Sequence, residues 1–363
     1  MGFTAETVKQ ALASLIDPDT GKDYVSLKSV KGVAISGADV SLAIELGYPA
    51  NSPFDDIRAS VTKALQGIDG IGKIEVNVTS KIVPHTVQGG VRLLPNVKNV
   101  IAVASGKGGV GKSTVAVNLA LALVAEGASV GILDADIYGP SQPLMLGLSG
   151  ERPQTRDGKT MEPLENHGLQ VQSVGFLTSQ DEPMVWRGPM ASQALQQLIE
   201  QTNWRDLDYL IVDMPPGTGD IQLTLAQKVP VTGAVIVTTP QDVALLDAKK
   251  GLKMFEKVSI PILGIVENMS IHVCSSCGHA EHIFGAGGGE KMCAEYGVDF
   301  LGALPLSLSI RVETDTGQPS VIAEPDGTVA RLFRQIARKV AARVAQKPRD
   351  MSGKLPPITV QPV

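Results

Sequence analysis

Apolar positions recur at helical spacing over residues 4–15 and then alternate with polar ones through SLKSVKGVAISGADVSLAIEL, on either side of Ser36-Gly37-Ala38-Asp39. The pattern predicts a helix followed by two strands around a turn. A second helical pattern over 53–66 and a strand over 72–79 complete an α-β-β-α-β unit, placed at residues 1–83. The stretch PHTVQGGVRLLPNVKN holds no period and is rich in Gly, Pro and polar residues, so residues 84–98 are expected to be a linker.

From Asn99 the texture changes. Short apolar runs (VIAVA, SVGIL, YLIVD, AVIVTT, ILGIVEN) alternate with helical patterns such as STVAVNLALALVAEG and DVALLDAKKGLKMFEKV. Strands apolar on both faces, separated by helices, predict an α/β domain over 99–345: a doubly wound, mostly parallel sheet with its ligand at the carboxyl edge. Its last helix, 329–345, carries an apolar stripe (Val329, Leu332, Phe333, Ile336, Val340, Val344) with Arg331, Arg334, Arg338 and Arg343 off it. That stripe is expected to pack on the sheet rather than lie on a membrane. Residues 346–363 are expected to be a flexible tail.

Composition narrows the function classes. The 363 residues carry 32 Lys and Arg against 37 Asp and Glu, a formal charge of -5, which opposes broad attraction to nucleic acid or anionic membrane. No run reaches the roughly 18 apolar residues of a membrane helix, and the first residues lack a basic, apolar leader. A cytoplasmic protein is expected, with neither nucleic acid nor membrane as partner. Cys274, Cys277 and Cys293 are its only cysteines, too few for a disulfide framework.

The strand Val100–Ala104 runs into SGKGGVGKST, which fits the phosphate-loop pattern and is followed at once by a helical pattern. Glycines 106, 108, 109 and 111 let backbone N–H groups turn toward phosphate oxygens. Gly106, Lys107, Gly108, Gly109, Val110, Gly111, Lys112, Ser113 and Thr114 are therefore the expected nucleotide cradle. Lys112 is expected to neutralise the β- and γ-phosphates and Ser113 to ligate Mg2+. Asp134 and Asp136 end the run VGILDAD, and Asp213 ends YLIVD ahead of Pro-Pro-Gly-Thr-Gly. Carboxylates at these strand ends can hold magnesium through water, and the glycines allow a switch to move.

Cys274 and Cys277 stand in C-x-x-C spacing directly after the last core strand. Such a pair can bind a metal or a corner of a cluster, or form a redox disulfide. Zinc is a further possibility, since Cys274, Cys277, His279 and His282 form a dense donor run, although the long spacer of a zinc finger is missing. Cys293, on an apparent helix, reads as a small buried apolar residue.

The motif GKGGVGKST resembles the deviant phosphate loop of the dimeric ATPase superfamily that includes MinD, ParA and the nitrogenase iron protein. The resemblance implies that Lys107 acts across a dimer interface on the partner's nucleotide. It also implies that Asp136 positions the attacking water, that Asp134 belongs to the magnesium shell, and that Asn268 in ILGIVENMS contacts the adenine ring. LDADIYGPS, VDMPPGTGD, TTPQDVAL and ENMS-x-x-x-C-x-x-C-G are together similar to the Mrp/ApbC family of iron–sulfur cluster carriers, over most of residues 99–340. The N-terminal unit resembles the small domain of iron–sulfur assembly factors.

These resemblances imply an ATPase that carries a [4Fe-4S] cluster on Cys274 and Cys277 and delivers it to apoproteins. A cubane needs four thiolates and one chain offers two in this motif, so a homodimer is expected. Two other classes share the core. A positioning ATPase of the MinD or ParA kind would grip membrane or DNA, and a nitrogenase-like reductase would use two separated cysteines.

Overall fold

The structure, a computed structural model, describes residues 3–89, 91–177, 188–274 and 276–350. The N-terminal unit runs α1 (Ala5–Leu12), β1 (Val30–Ser36), β2 (Asp39–Leu46), α2 (Phe54–Gln66) and β3 (Ile74–Ser80). Gly37, at φ 63°, makes the tight turn that pairs β1 with β2 antiparallel, and β3 joins β2 in parallel. Val40, Leu42, Ile44 and Leu46 alternate inward along β2 onto Val61 and Leu65 of α2. Thr4 caps α1 by accepting the Thr7 N–H at 3.3 Å.

The larger unit contains β4 (Val97–Ala104), α3 (Lys112–Ala125), β5 (Val130–Asp134), α4 (Gln142–Met145), β6 (Leu164–Asn166), β7 (Leu169–Ser173), α5 (Gly188–Gln201), β8 (Leu207–Asp213) and α6 (Asp220–Lys228). It continues with β9 (Gly233–Thr238), α7 (Asp242–Lys257), β10 (Ile262–Glu267), β11 (His272–Val273), β12 (Ala280–Glu281), α8 (Gly288–Tyr296), β13 (Phe300–Ala303), α9 (Leu308–Asp315), α10 (Ser320–Ala323) and α11 (Thr328–Ala345). Its eight-stranded sheet has the order β13-β10-β9-β4-β8-β5-β7-β6. Among the described residues only the edge strand β6 runs antiparallel in this sheet. The central strands are buried on both faces, which is why their sequences are unbroken apolar runs.

β4 lies between β8 and β9, and the chain leaves it through α3 to reach β5 two places away. The carboxyl end of β4 is thus beside a topological switch point, where an open α/β sheet holds its ligand. In register, Asp213 of β8 sits opposite Val103 of β4 on one side and Asp134 of β5 on the other.

α3 is apolar nearly all round because the sheet covers one side and α11 another. Phe333, Ile336, Val340 and Val344 of α11 are buried, each stabilising by roughly 1.5–3 kcal/mol relative to exposure. The off-stripe arginines are not all solvent-facing: Arg338 bonds to Asp19 at 2.9 Å and to Glu126 at 3.0 Å. No helix among the described residues is long and apolar enough to cross a membrane. Of the expected tail, Arg349 bridges His85, while residues 351–363 lie outside the described residues.

Candidate functional site

The loop between β4 and α3 carries Gly106 to Gly111. A Cβ on Gly106 would stand 2.1 Å from the backbone of Asp247, so only glycine lets the loop lie against α7. Gly111 is left-handed at φ 80°, and a Cβ there would meet the Asn268 amide at 2.3 Å. Gly108 and Gly109 face open space. No side chain caps α3, so the first N–H groups of the helix are left to a ligand at its positive end.

Lys112 is buried and its ammonium pairs with Asp213, with Asp136 at 3.7 Å and Ser113 Oγ at 3.0 Å. Asp213 also accepts from the Gln142 amide at 2.9 Å. Asp136 Oδ1 is buried without a hydrogen-bond partner among the described residues. Burial pushes its carboxyl upward, against the lowering influence of Lys112. An unpartnered carboxylate oxygen beside a lysine, an uncapped helix and an open glycine loop fit an anionic ligand that brings a cation.

Asp134 is placed differently. Its Oδ2 accepts N–H groups of Ser141 at 3.0 Å and Gln142 at 3.1 Å and the Ser173 hydroxyl at 3.0 Å, and its Oδ1 accepts the Asp136 N–H at 3.2 Å. Both oxygens thus hold the 136–142 loop. Burial, then the adjacent Asp213 charge, drives its carboxyl upward.

The Pro-Pro-Gly-Thr-Gly segment docks on the phosphate loop through the Gly217 N–H, which donates to Ser105 at 2.9 Å, with Gly217 left-handed at φ 97°. Lys107, half-buried, has its carbonyl held by Ser105 Oγ at 2.8 Å, and its ammonium makes no ion pair among the described residues. Thr114 lies in the first turn of α3, and its carbonyl accepts from Asn118 at 3.0 Å. Asn268 is buried, and its amide nitrogen donates to the Val110 carbonyl at 2.9 Å.

Six residues beyond Asn268, Cys274 follows the first strand of a small hairpin in which β11 pairs β12 antiparallel. The Cys274 N–H donates to the His279 carbonyl at 2.9 Å, and the Gly278 N–H to the Cys274 carbonyl at 2.8 Å. Both Cys274 and Cys277 are free thiols, the second exposed. Backbone N–H groups of Ser276 and Cys277 aimed at its sulfur pull the Cys274 thiol below its ordinary range. His282 Nδ1 donates to the Ser270 carbonyl at 2.6 Å, and His279 lies 3.8 Å from Glu281. Among the described residues no three His, Cys, Asp or Glu side chains converge as metal ligands. Cys293 is buried in α8, as a small apolar residue would be, and burial pushes its thiol up to about 12.

A profile described as the NUBPL iron-transfer P-loop NTPase matches residues 96–341. The chain belongs to that family. A second profile, described as an iron–sulfur cluster assembly protein, matches residues 5–78. The chain is 52% identical over 339 residues to the iron-sulfur cluster carrier protein of Escherichia coli, covering 93% of this chain and 91% of that one. It is 61% identical over 275 residues to the protein of the same name from Pseudomonas fragi, covering 76% and 96%. With the mouse iron-sulfur cluster transfer protein NUBPL it shares 51% over 257 residues, 70% of this chain and 80% of that one. Among solved structures, an Archaeoglobus fulgidus nucleotide-binding protein in complex with ADP matches with TM-score 0.56 and 35% identity, covering 64% of this chain and 90% of that one. Pyrococcus furiosus MinD matches at 0.51 and 22%, over 67% and 98%, a likeness of fold. The family's members are P-loop NTPases, and the mostly parallel sheet behind a three-stranded N-terminal unit is the architecture the apolar runs predict.

One site residue escapes the sequence reading. Gln142 is fully buried and bonds both Asp213 and the Ser113 carbonyl, at 3.1 Å, so it spans from the loop after β5 to the floor of the phosphate site. Its only sequence signal is its place in IYGPSQP after the Asp pair.

Proposed function

We propose that the chain is an ATP-hydrolysing carrier that holds a [4Fe-4S] cluster between two copies of itself, on Cys274 and Cys277 of each, and passes it to apoproteins. The observation that carries this reading is a pair of free thiols on a hairpin six residues from Asn268, whose side chain touches the phosphate loop. The names of its relatives supply the cargo. Two thiolates per chain leave a cubane half-ligated, and a second copy completes the set. Val273 and Ile283 on the hairpin and Val243 and Leu246 at the start of α7 expose apolar surface that such a copy would cover.

In this reading Gly106 to Thr114 cradle the ATP phosphates. Lys112 turns from Asp213 and Asp136 to the β- and γ-oxygens, while Ser113 and Asp213 serve Mg2+. Asp136, with its unpartnered oxygen, holds the attacking water. Asp134 belongs to the magnesium shell, its Oδ2 held in place by the Ser141 and Gln142 N–H groups. Lys107, which makes no ion pair among the described residues, supplies positive charge to the partner's transferring phosphoryl group. Zinc held by one chain is disfavoured, since among the described residues no three His, Cys, Asp or Glu side chains converge as ligands.

Anaerobic reconstitution with iron and sulfide tests the proposal. The expected product is a brown dimer with an absorption band near about 400 nm and about four irons per dimer. A Cys274→Ala, Cys277→Ala protein should stay colourless. Colour that survives both substitutions, or one zinc per chain in the purified protein, refutes the reading.

A further inference from the structure

A cleft of about 450 Å3 opens where the N-terminal unit meets the larger one. The N-terminal unit contributes Lys28, Lys31, Glu45 and Lys81. The opposite wall is a seam in which the linker pairs with the segment after α11: His85 bridges Arg349, and the Thr86 N–H donates to the Pro348 carbonyl at 3.0 Å. Asn99 of β4 accepts the His85 Nδ1–H at 3.0 Å, so the seam is fixed to the amino end of the strand whose carboxyl end carries the phosphate loop. The two sites lie at opposite edges of the sheet and share no residue.

The charge of this cleft runs against that of the chain. Lys28, Lys31, Lys81 and Arg349 line it, in a protein of net charge -5. Among the described residues the only carboxylate in its wall is Glu45, and Lys31 pairs with that at 3.6 Å. Lys28, Lys81 and Arg349 make no ion pair among the described residues. Lys28 is moreover held in the left-handed region at φ 54°, which non-glycine residues adopt rarely, and this fixes where its side chain leaves the loop. His85, 2% exposed, forms part of the lining. Like charges gathered round one concavity repel each other until an anion of opposite charge enters. The volume is that of a small-molecule site, and domain junctions are where such sites concentrate.

We propose that this cleft binds a small polyanion carrying two or more phosphate or carboxylate groups, which joins the N-terminal unit to the seam of the larger unit. The ligand bridges Lys28 and Lys81 on one wall to Arg349 on the other. The site is independent of the nucleotide and cluster sites, and its failure leaves the carrier reading untouched.

The test uses full-length protein saturated with ADP and excess magnesium, so that the phosphate loop is filled, and titrates tripolyphosphate and citrate by calorimetry. Saturable binding of either supports the site: tripolyphosphate alone assigns phosphate groups, and citrate alone assigns carboxylates. A Lys28→Glu, Lys81→Glu protein is expected to bind about tenfold or more weakly while keeping its ADP affinity and its unliganded melting temperature, because neither lysine makes an ion pair among the described residues. Arg349→Gln gives a smaller loss by the same measurement. Absence of saturable binding, or equal binding by the double variant, overturns the proposal. So does binding of a poly-glutamate peptide where both small anions fail, which would make the cleft a docking surface for acidic protein.

Discussion

The side-chain amide of Asn268 donates a 2.9 Å hydrogen bond to the carbonyl of Val110, in the middle of the phosphate loop. Asn268 follows β10 directly and lies six residues before Cys274, so the two ends of the proposed mechanism meet at one contact. Asn268→Ala removes a buried bond and leaves the carbonyl unpaired, a loss of about 1–2 kcal/mol. The expected result is ADP affinity weakened by roughly 5- to 30-fold in calorimetry, with both hairpin thiols still free to react.

Asp136 and Asp134 differ in what surrounds them, and their substitutions should differ in kind. Asp136→Ala is expected to cut ATP hydrolysis by about 100-fold or more while nucleotide binding survives, because in the proposed mechanism the group acts on water rather than on the resting fold. Asp134→Ala strands the N–H groups of Ser141 and Gln142 and should lower the melting temperature as well. Steady-state phosphate release alongside thermal melts separates the two.

The three thiols should react in a fixed order. Cys274 is drawn below its ordinary range by N–H donors, so its thiolate persists to lower pH than that of an unperturbed cysteine. Cys293 is held up to about 12 by burial and by Asp299, Glu290 and Glu267, so it stays protonated across the neutral range. Iodoacetamide at pH 7 followed by peptide mass spectrometry should label Cys274 first and Cys293 only after unfolding. As pH falls from 8 to 6, Cys274 labelling should decline less than that of a free thiol.

Arg338 of α11 ties the two units together by bonding Asp19, Glu126 and the Ser52 hydroxyl at once. Glu126 is the C-cap of α3, and it also accepts the Ser52 N–H at 2.9 Å. Arg338→Ala leaves two buried carboxylates without their counter-charge and should destabilise by about 3 kcal/mol. Urea unfolding measures the loss. A replacement of both carboxylates along with the arginine should recover part of it.

What the sequence announced and what it hid divide along physical lines. The phosphate loop, the carboxylates ending β5 and β8, and the alternation of β4, β5, β8, β9 and β10 with helices were legible, because local spacing and burial on both faces write themselves into neighbouring residues. The edge strands were not: β6 and β13 span three and four residues, too few for a period. Gln142 and Arg338 were hidden for another reason. Gln142 meets Asp213 across 71 positions and Arg338 meets Asp19 across 319, so no local pattern links them. Arg338 lies off the apolar stripe, where the helical pattern names no partner, yet a second unit covers that side of the helix.

Transfer to an apo four-iron acceptor in the presence of an iron chelator separates delivery of a cluster from release of its parts. The reconstituted protein is expected to activate the acceptor at a rate the chelator does not change, and the Cys274→Ala, Cys277→Ala protein to activate it not at all. Activation that the chelator abolishes, or that the double substitution leaves intact, would mean free iron and sulfide do the work and would contradict a carrier.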